Sequence, residues 1–221
     1  MDGYDKNGKQ HIAILQSRQK ITGPYTVPEN PIVSPGVKGS WNDKSCFYAK
    51  IVKHNNEFLL FYAGWNTLDY AQIGRTSSLD LISWTKSIPV LSSFEGWRSS
   101  SKTTQPVCLE SRSDSLFLMA MGTKSFGENF MGKSGNVDDA QLGVFLSTNK
   151  GKSFVAHSFN PIFVNDYTSK LENEHLGGNF KRISNDSAEY VFYHGKSSFG
   201  GWRYNVLSRK KVKNMLISKV R

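Results

Sequence analysis

The chain has 221 residues, of which 38% are hydrophobic and 13% aromatic, and its formal net charge is +10 at pH 7. This size and composition are typical of one globular domain with its own core, and two cysteines are too few for a disulfide scaffold or a cysteine-rich zinc site. The longest apolar runs, such as Phe58–Ala63, are too short to cross a bilayer, and the first ten residues are polar rather than signal-like. We therefore expect no membrane partner and, by default, a cytoplasmic location.

The positive charge is partly concentrated in one segment, Ser208–Arg221, which holds six basic residues and no acidic one. A basic tail on an otherwise ordinary surface does not form the basic groove that nucleic acid needs, so we expect no nucleic-acid partner. No second histidine stands at a ligand-like spacing from His175, and no phosphate-binding glycine loop is complete. We assign no metal site and no cofactor. Cys46 and Cys108 lie in apolar runs and are interpreted as reduced core residues.

A pattern of short apolar runs repeats along the chain at spacings of about 60 to 70 residues. The runs are rich in aromatic and β-branched residues and bounded by Gly, Asn, Asp and Ser, which predicts strands, and no stretch has sustained helical periodicity. In chain order they read HIAILQS (His11–Ser17), EFLLFYAG (Glu57–Gly64), QIGRTSS (Gln72–Ser78), SLFLMAMG (Ser115–Gly122), QLGVFLS (Gln141–Ser147), EYVFYHG (Glu189–Gly195) and RYNVLS (Arg203–Ser208).

Two of these runs continue into a similar turn that ends in an aromatic residue. Ser147–Phe154 fits the pattern Ser-x-Asp-x-Gly-x-Thr-Trp with Asn, Ser and Phe at three positions, and Ser77–Trp84 occupies the corresponding place in the preceding repeat. Asx and Ser side chains hydrogen-bond nearby backbone groups, and Gly allows the tight bend. We expect the closing aromatic residue to pack between neighbouring repeats.

These repeats predict an all-β fold, a β-propeller of four-stranded antiparallel blades, in a single domain over residues 1–221. The predicted blades cover residues 11–34 (partial), 40–93, 97–165 and 171–221. A closed propeller has typically four to eight blades, and roughly three and a half are present here. The chain is therefore a fragment, or its ends meet to complete a blade, or it closes by self-association. A β-sandwich is the alternative fold.

The series NPIVSPGVKGSWND, then FYAG, IGRTSSLDLISW and IPVLS, resembles the five-bladed β-propeller glycosidases. This superfamily comprises arabinanases, β-xylosidases, invertases and levansucrases, glycoside hydrolase family 43 included, and the resemblance covers about residues 11–208. It implies an axial funnel into which innermost strands direct acidic residues. Glycoside hydrolysis needs two carboxylates, one as acid and one as base or nucleophile.

The resemblance implies site residues at the start of each blade. Asp43, in a Trp-Asn-Asp sequence similar to that of invertase-like enzymes, is the candidate base or nucleophile, although those enzymes carry it in the first blade. Glu174, beside Glu172, is the candidate general acid. The equivalent stretch Trp97–Pro106 has no acid, and Asp138 or Asp139 is a candidate substitute. The candidate carbohydrate-binding residues are Trp41, Trp65, His175, Arg182, His194 and Trp202.

Each candidate also has a structural interpretation. Asp43 can cap a turn, the tryptophans can pack between blades, His194 can be a core histidine, and an arginine can be ion-paired. The leading function is a glycoside hydrolase that acts on an oligo- or polysaccharide. The first alternative is a non-catalytic or degenerate propeller that binds glycan or protein. The second is a sialidase-like enzyme, for which Arg75, Arg98 and Arg182 are the candidate arginines.

Overall fold

The computed structural model describes residues 1–17, 22–92, 103–126, 137–164, 175–184, 189–196 and 210–212. Every helix or strand element in these residues is a β-strand, which confirms the predicted all-β class. The strands are β1 (Asp2–Tyr4), β2 (Gln10–Ile12), β3 (Ser45–His54), β4 (Glu57–Trp65), β5 (Ala71–Ser78), β6 (Ile88–Leu91), β7 (Thr103–Ser111), β8 (Leu116–Phe126), β9 (Val137–Ser147), β10 (Val155–Ala156), β11 (Phe163–Val164), β12 (His175–Ser184), β13 (Glu189–Lys196) and β14 (Lys210–Val212).

The strands form four consecutive antiparallel units. Unit 1 is the hairpin β1–β2, unit 2 is β3–β6, unit 3 is β7–β11 and unit 4 is β12–β14. In unit 3 the outer position is shared by β10 and β11, which both pair with β9. One parallel bridge, between Ala71 of β5 and Thr103 of β7, joins units 2 and 3 into a nine-stranded sheet. The blade boundaries and the blade number of a closed ring stay predictions.

The apolar run of β4 is explained by burial on both of its faces. Leu59 and Phe61 belong to a core cluster shared with unit 3, whereas Leu60 and Tyr62 belong to a second cluster shared with unit 1. A strand covered on both faces reads as a continuous hydrophobic run instead of an alternating one. The partners in the first cluster are Ile73, Leu91, Leu116, Leu118, Ala120 and Phe145, and those in the second are Ile12, Val33 and Cys46.

The turn after β9 joins unit 3 to unit 2 in the way its sequence predicts. The Ser147 hydroxyl accepts a hydrogen bond from the Gly151 N–H at 2.9 Å and donates one to Asn149 Oδ1 at 2.9 Å. The closing residue Phe154 lies edge-on to Phe61 of β4, with ring centroids 5.6 Å apart. The aromatic residue at the end of the turn thus packs between neighbouring units.

Two strands differ from the sequence-based expectation. The predicted strands begin at residue 11, but β1 lies in the polar opening of the chain and pairs with β2 in antiparallel register. In unit 4, β14 pairs with the edge of β13 that faces away from β12, while the predicted run Arg203–Ser208 lies outside the described residues. No helix among the described residues has the length and apolar character that a membrane crossing requires.

Candidate functional site

The carboxylate of Asp43 bridges two loops at the end of unit 2 where β3 begins. Its Oδ2 accepts hydrogen bonds from the Gly39 N–H at 2.7 Å and from the Thr67 hydroxyl at 3.1 Å. Its Oδ1 accepts one from the Thr67 N–H at 2.7 Å. Asp43 is 4% exposed. The turn before β3 and the loop after β4 are therefore held together through one side chain.

These hydrogen bonds keep Asp43 ionised. The Gly39 N–H is the largest contribution that lowers the pKa of Asp43 from its ordinary value of 3.8, partial burial opposes it, and the Thr67 N–H and hydroxyl lower the pKa further. Hydrogen bonds to the charged form favour that form. A carboxylate that is ionised at neutral pH can accept a proton or act as a nucleophile, but it cannot serve as the proton donor.

The lowered pKa predicts that Asp43 contributes to stability above the acid range. Because the folded pKa is below the unfolded value, this contribution is fully present above the unfolded pKa near 3.8 and is lost as the pH falls through the folded pKa. Urea unfolding of the wild type and of Asp43→Asn, measured at neutral pH and at several lower pH values, tests this. We expect the stability difference between the two proteins to shrink on acidification, and a difference independent of pH would contradict it.

Trp41 lies flat against β4 and β5, where two glycines leave room for its indole ring. A Cβ atom at Gly64 would lie 2.8 Å from Trp41 Cε3, and one at Gly74 would lie 2.8 Å from Trp41 Cζ2. The ring also contacts Tyr62, with centroids 5.6 Å apart. This packing gives Trp41 a role in the core, and its contact with carbohydrate stays a prediction.

The residues around Trp41 form a buried polar cluster beneath the Asp43 turn. Asn42 Nδ2 lies 3.5 Å from both Cys46 Sγ and the Tyr62 hydroxyl. Burial raises the pKa of Cys46 to about 12, so its side chain stays a thiol at neutral pH. Cys46 and Cys108 are both buried and neither is part of a disulfide, as predicted from the sequence.

Trp65, at the end of β4, lies at the same end of unit 2 as Asp43, since it pairs with Ser45 at the start of β3. Its ring lies edge-on to Phe47 at 5.7 Å between centroids, and Lys44 Nζ lies 4.5 Å from the ring centroid. The indole Nε1 is buried and has no hydrogen-bond partner among the described residues. Trp65 therefore combines an aromatic face with a donor that the described residues leave unsatisfied.

The structure brings together some of the predicted site residues. Asp43, Trp41 and Trp65 meet at one end of unit 2, whereas His175 and Arg182 lie on β12 and His194 lies on β13, opposite Gly177. The predicted residues outside the described part of the chain are Glu172, Glu174, Trp202 and Arg98. Sequence analysis did not identify Gly39 and Thr67 as partners of Asp43, and neither residue type carries a signal for that role.

Arg75 has the ion-paired environment that was its structural interpretation. It is 5% exposed, its Nε donates to the Lys150 carbonyl oxygen at 2.8 Å, and its guanidinium lies 3.8 Å from Glu57 Oε1. Lys150 Nζ lies 3.4 Å from the other oxygen of Glu57. Because Lys150 belongs to the turn after β9, the guanidinium links unit 2 to unit 3.

Comparison with solved structures identifies proteins of similar fold. BT0996, in a complex with RGII, matches with a TM-score of 0.65 and 14% identity, over 99% of this chain and 61% of that one. A glycoside hydrolase matches with a TM-score of 0.63 and 13% identity, over 88% of this chain and 55% of that one. A β-1,2-mannobiose phosphorylase from Listeria innocua, in complex with β-1,2-mannobiose, matches with a TM-score of 0.52 and 12% identity, over 86% and 50%.

The chain spans between about half and three fifths of the length of these structures. No protein-family model and no curated protein matches the sequence. At 12–14% identity the similarity concerns the fold. The chain thus has a propeller-type fold that it shares with glycoside hydrolases.

Proposed function

We propose that the protein is a glycan-active enzyme, a glycoside hydrolase that acts on an oligo- or polysaccharide. The observation that carries this proposal is the buried, ionised carboxylate of Asp43, two residues before the first strand of unit 2, in a fold that glycoside hydrolases share. Two of the similar structures are complexes with carbohydrate, one with RGII and one with β-1,2-mannobiose. These complexes support a carbohydrate as the ligand of this chain.

In the proposed reaction, Asp43 is the base or nucleophile and Glu174 is the general acid. Glu174 stands immediately before β12, as Asp43 stands just before β3, so each belongs to the entry of the first strand of a unit. The acid protonates the glycosidic oxygen while the ionised carboxylate either activates water or attacks the anomeric carbon. The lowered pKa of Asp43 fits the role of base or nucleophile and excludes the role of general acid.

The remaining predicted residues are proposed to bind the sugar. An aromatic ring can stack on the apolar face of a pyranose or furanose, which is the role proposed for Trp65. Trp41, His175, Arg182, His194 and Trp202 complete the proposed set. Lys44 lies over the Trp65 ring, so a stacked sugar would have to displace its ammonium group.

The experiment that tests the proposal measures hydrolysis of aryl arabinofuranosides, xylosides, galactosides and fructosides by the wild type and by Glu174→Gln. We expect turnover of at least one substrate by the wild type, and a loss of about 10²–10⁴-fold in Glu174→Gln, the range that general acid–base catalysis contributes. Glu172→Gln is the matched control, because it makes the same change two residues earlier. Absence of turnover by folded wild-type protein would overturn the proposal, and equal losses in both variants would remove Glu174 from the role of acid.

A non-catalytic glycan-binding propeller is the second candidate, and one observation favours it. Both oxygens of Asp43 already accept hydrogen bonds that hold Gly39 and Thr67 in place, which is sufficient to explain the residue structurally. Binding of oligosaccharides without turnover, measured by titration calorimetry, would establish this function instead.

A further inference from the structure

The first strand of each of the last three units contains a β-bulge. The register shifts between Phe47 and Lys50 in β3, between Pro106 and Cys108 in β7, and between Gly177 and Lys181 in β12. The strands β3 and β7 contact each other, and so do β7 and β12, which makes them the innermost strands of their units. A bulge leaves an unpaired residue, increases the local twist and redirects a side chain, and bulges are frequent beside active sites.

The bulge of β3 holds Tyr48 in the left-handed backbone region, with φ of 56°. The other non-glycine residues with positive φ in the described part of the chain lie in turns between strands, where Asn55, Asp69, Leu81 and Lys150 occupy this region. Only Tyr48 adopts it inside a described strand. For a bulky L-residue this conformation costs about 1–2 kcal/mol, and such strain is concentrated at functional sites.

The strain exposes the ring of Tyr48 at the inner edge of unit 2. Tyr48 is 51% exposed, whereas its neighbours Cys46 and Phe47 are 0% and 7% exposed. Phe47 fixes the ring edge-on, with centroids 4.8 Å apart. Burial, together with the nearby Asp2 and Tyr4 of β1, raises the pKa of Tyr48, so the phenol is neutral. A rigid, neutral aromatic ring with one open side is suited to stacking on an uncharged apolar surface.

We propose that Tyr48 is the stacking platform of a sugar-binding subsite, with Asp2 and Tyr4 of β1 beside it as hydrogen-bonding groups. Tyr48 lies three residues along β3 from Ser45, so the subsite is about 10 Å from the end that carries Asp43. This distance is suited to a second sugar unit of the same glycan. The inference rests on the proposed glycan ligand and does not require that the ligand be cleaved.

The test replaces Tyr48 by asparagine, which tolerates positive φ and lacks the ring. We expect Tyr48→Asn to resist urea as well as the wild type or better. Its binding of arabino-, xylo- or galacto-oligosaccharides, measured by titration calorimetry, should be at least tenfold weaker. The KM should rise by the same factor, and kcat should change little. Tyr48→Phe keeps the ring and should retain most of the affinity. Leu81→Asn is the matched control, since Leu81 has φ of 65° in a turn and should change no binding.

The outcomes separate this inference from the proposed function. If the wild type turns over a substrate and Tyr48→Asn has the same KM and affinity, the proposed Tyr48 subsite is wrong and the proposed hydrolase function stands. Binding without turnover, weakened by Tyr48→Asn, would overturn the hydrolase and leave the subsite. A wild type that neither binds nor cleaves any of these sugars would overturn both. A large loss of stability in Tyr48→Asn, with affinity unchanged per folded molecule, would make Tyr48 a structural residue.

Discussion

Gly151→Ala is expected to lower the free energy of unfolding by about 2–5 kcal/mol, through two costs that add. Gly151 has φ of 73° in the turn after β9, where an alanine is strained by about 1–2 kcal/mol. The added methyl group would overlap the ring of Phe61, because its carbon would lie only 2.9 Å from Phe61 Cε1. The same carbon would lie 3.2 Å from Leu116 Cδ1. Phe61 and Leu116 are fully buried, so the core must shift, at about 1–3 kcal/mol.

The two costs can be separated with a second glycine. Gly8 has φ of 75° in the turn between β1 and β2, and a Cβ atom there would meet no atom within 4 Å. Gly8→Ala therefore carries only the backbone cost. Urea unfolding of both variants and the wild type measures the difference. Equal destabilisation by the two substitutions would contradict the view that the turn after β9 fits tightly against unit 2.

This contact also shows why the repeat could be predicted from the sequence. The turn has a regular spacing of Ser, Asn, Gly and Phe because each residue makes a local contact, and Phe154 then reaches the neighbouring unit. Burial of β4 on both faces makes its apolar run continuous. Both signals lie within about ten residues of sequence, which is the range over which sequence patterns are informative.

The details of the site depend on contacts that no local pattern shows. Trp41 fits onto β4 and β5 because Gly64 and Gly74 lack side chains, but a glycine in a strand has several explanations from sequence. The pKa of Asp43 is set mainly by a backbone N–H, that of Gly39, and backbone donors are the same for every residue type. Sequence identified the carboxylate but not the state of its charge.

The conformation of Tyr48 is hidden from the sequence for the same reason. Tyrosine is common in strands and rare at positive φ, so SCFYAKIVKH predicts a regular strand. The bulge arises because Lys50, and not Ala49, lies opposite Phe61 of β4, so that Tyr48 and Ala49 together oppose one residue of that strand. Strand pairing of this kind is fixed by the packing of whole units and is visible only in the structure.

Asp43→Asn is expected to lower the rate of glycoside hydrolysis by about 10²–10⁴-fold, because an amide can neither accept the proton nor attack the anomeric carbon. It should also destabilise the protein, since an amide has one acceptor oxygen where the carboxylate uses two for Gly39 and Thr67. Rates must therefore be compared per folded molecule, with the folded fraction measured by circular dichroism.

Asp69→Asn provides the control for this comparison. It makes the same carboxylate-to-amide change in the loop after β4, and its φ of 62° suits asparagine. We expect it to weaken the ion pair with Lys44, but exposed ion pairs contribute little to the free energy of unfolding. The value of kcat should stay within about twofold of the wild type. If Asp43→Asn lowers stability but not the rate per folded molecule, the carboxylate only joins the two loops, and the catalytic base must be another residue. A rate loss confined to Asp43→Asn would mean that one buried anion both closes this end of unit 2 and supplies the chemistry.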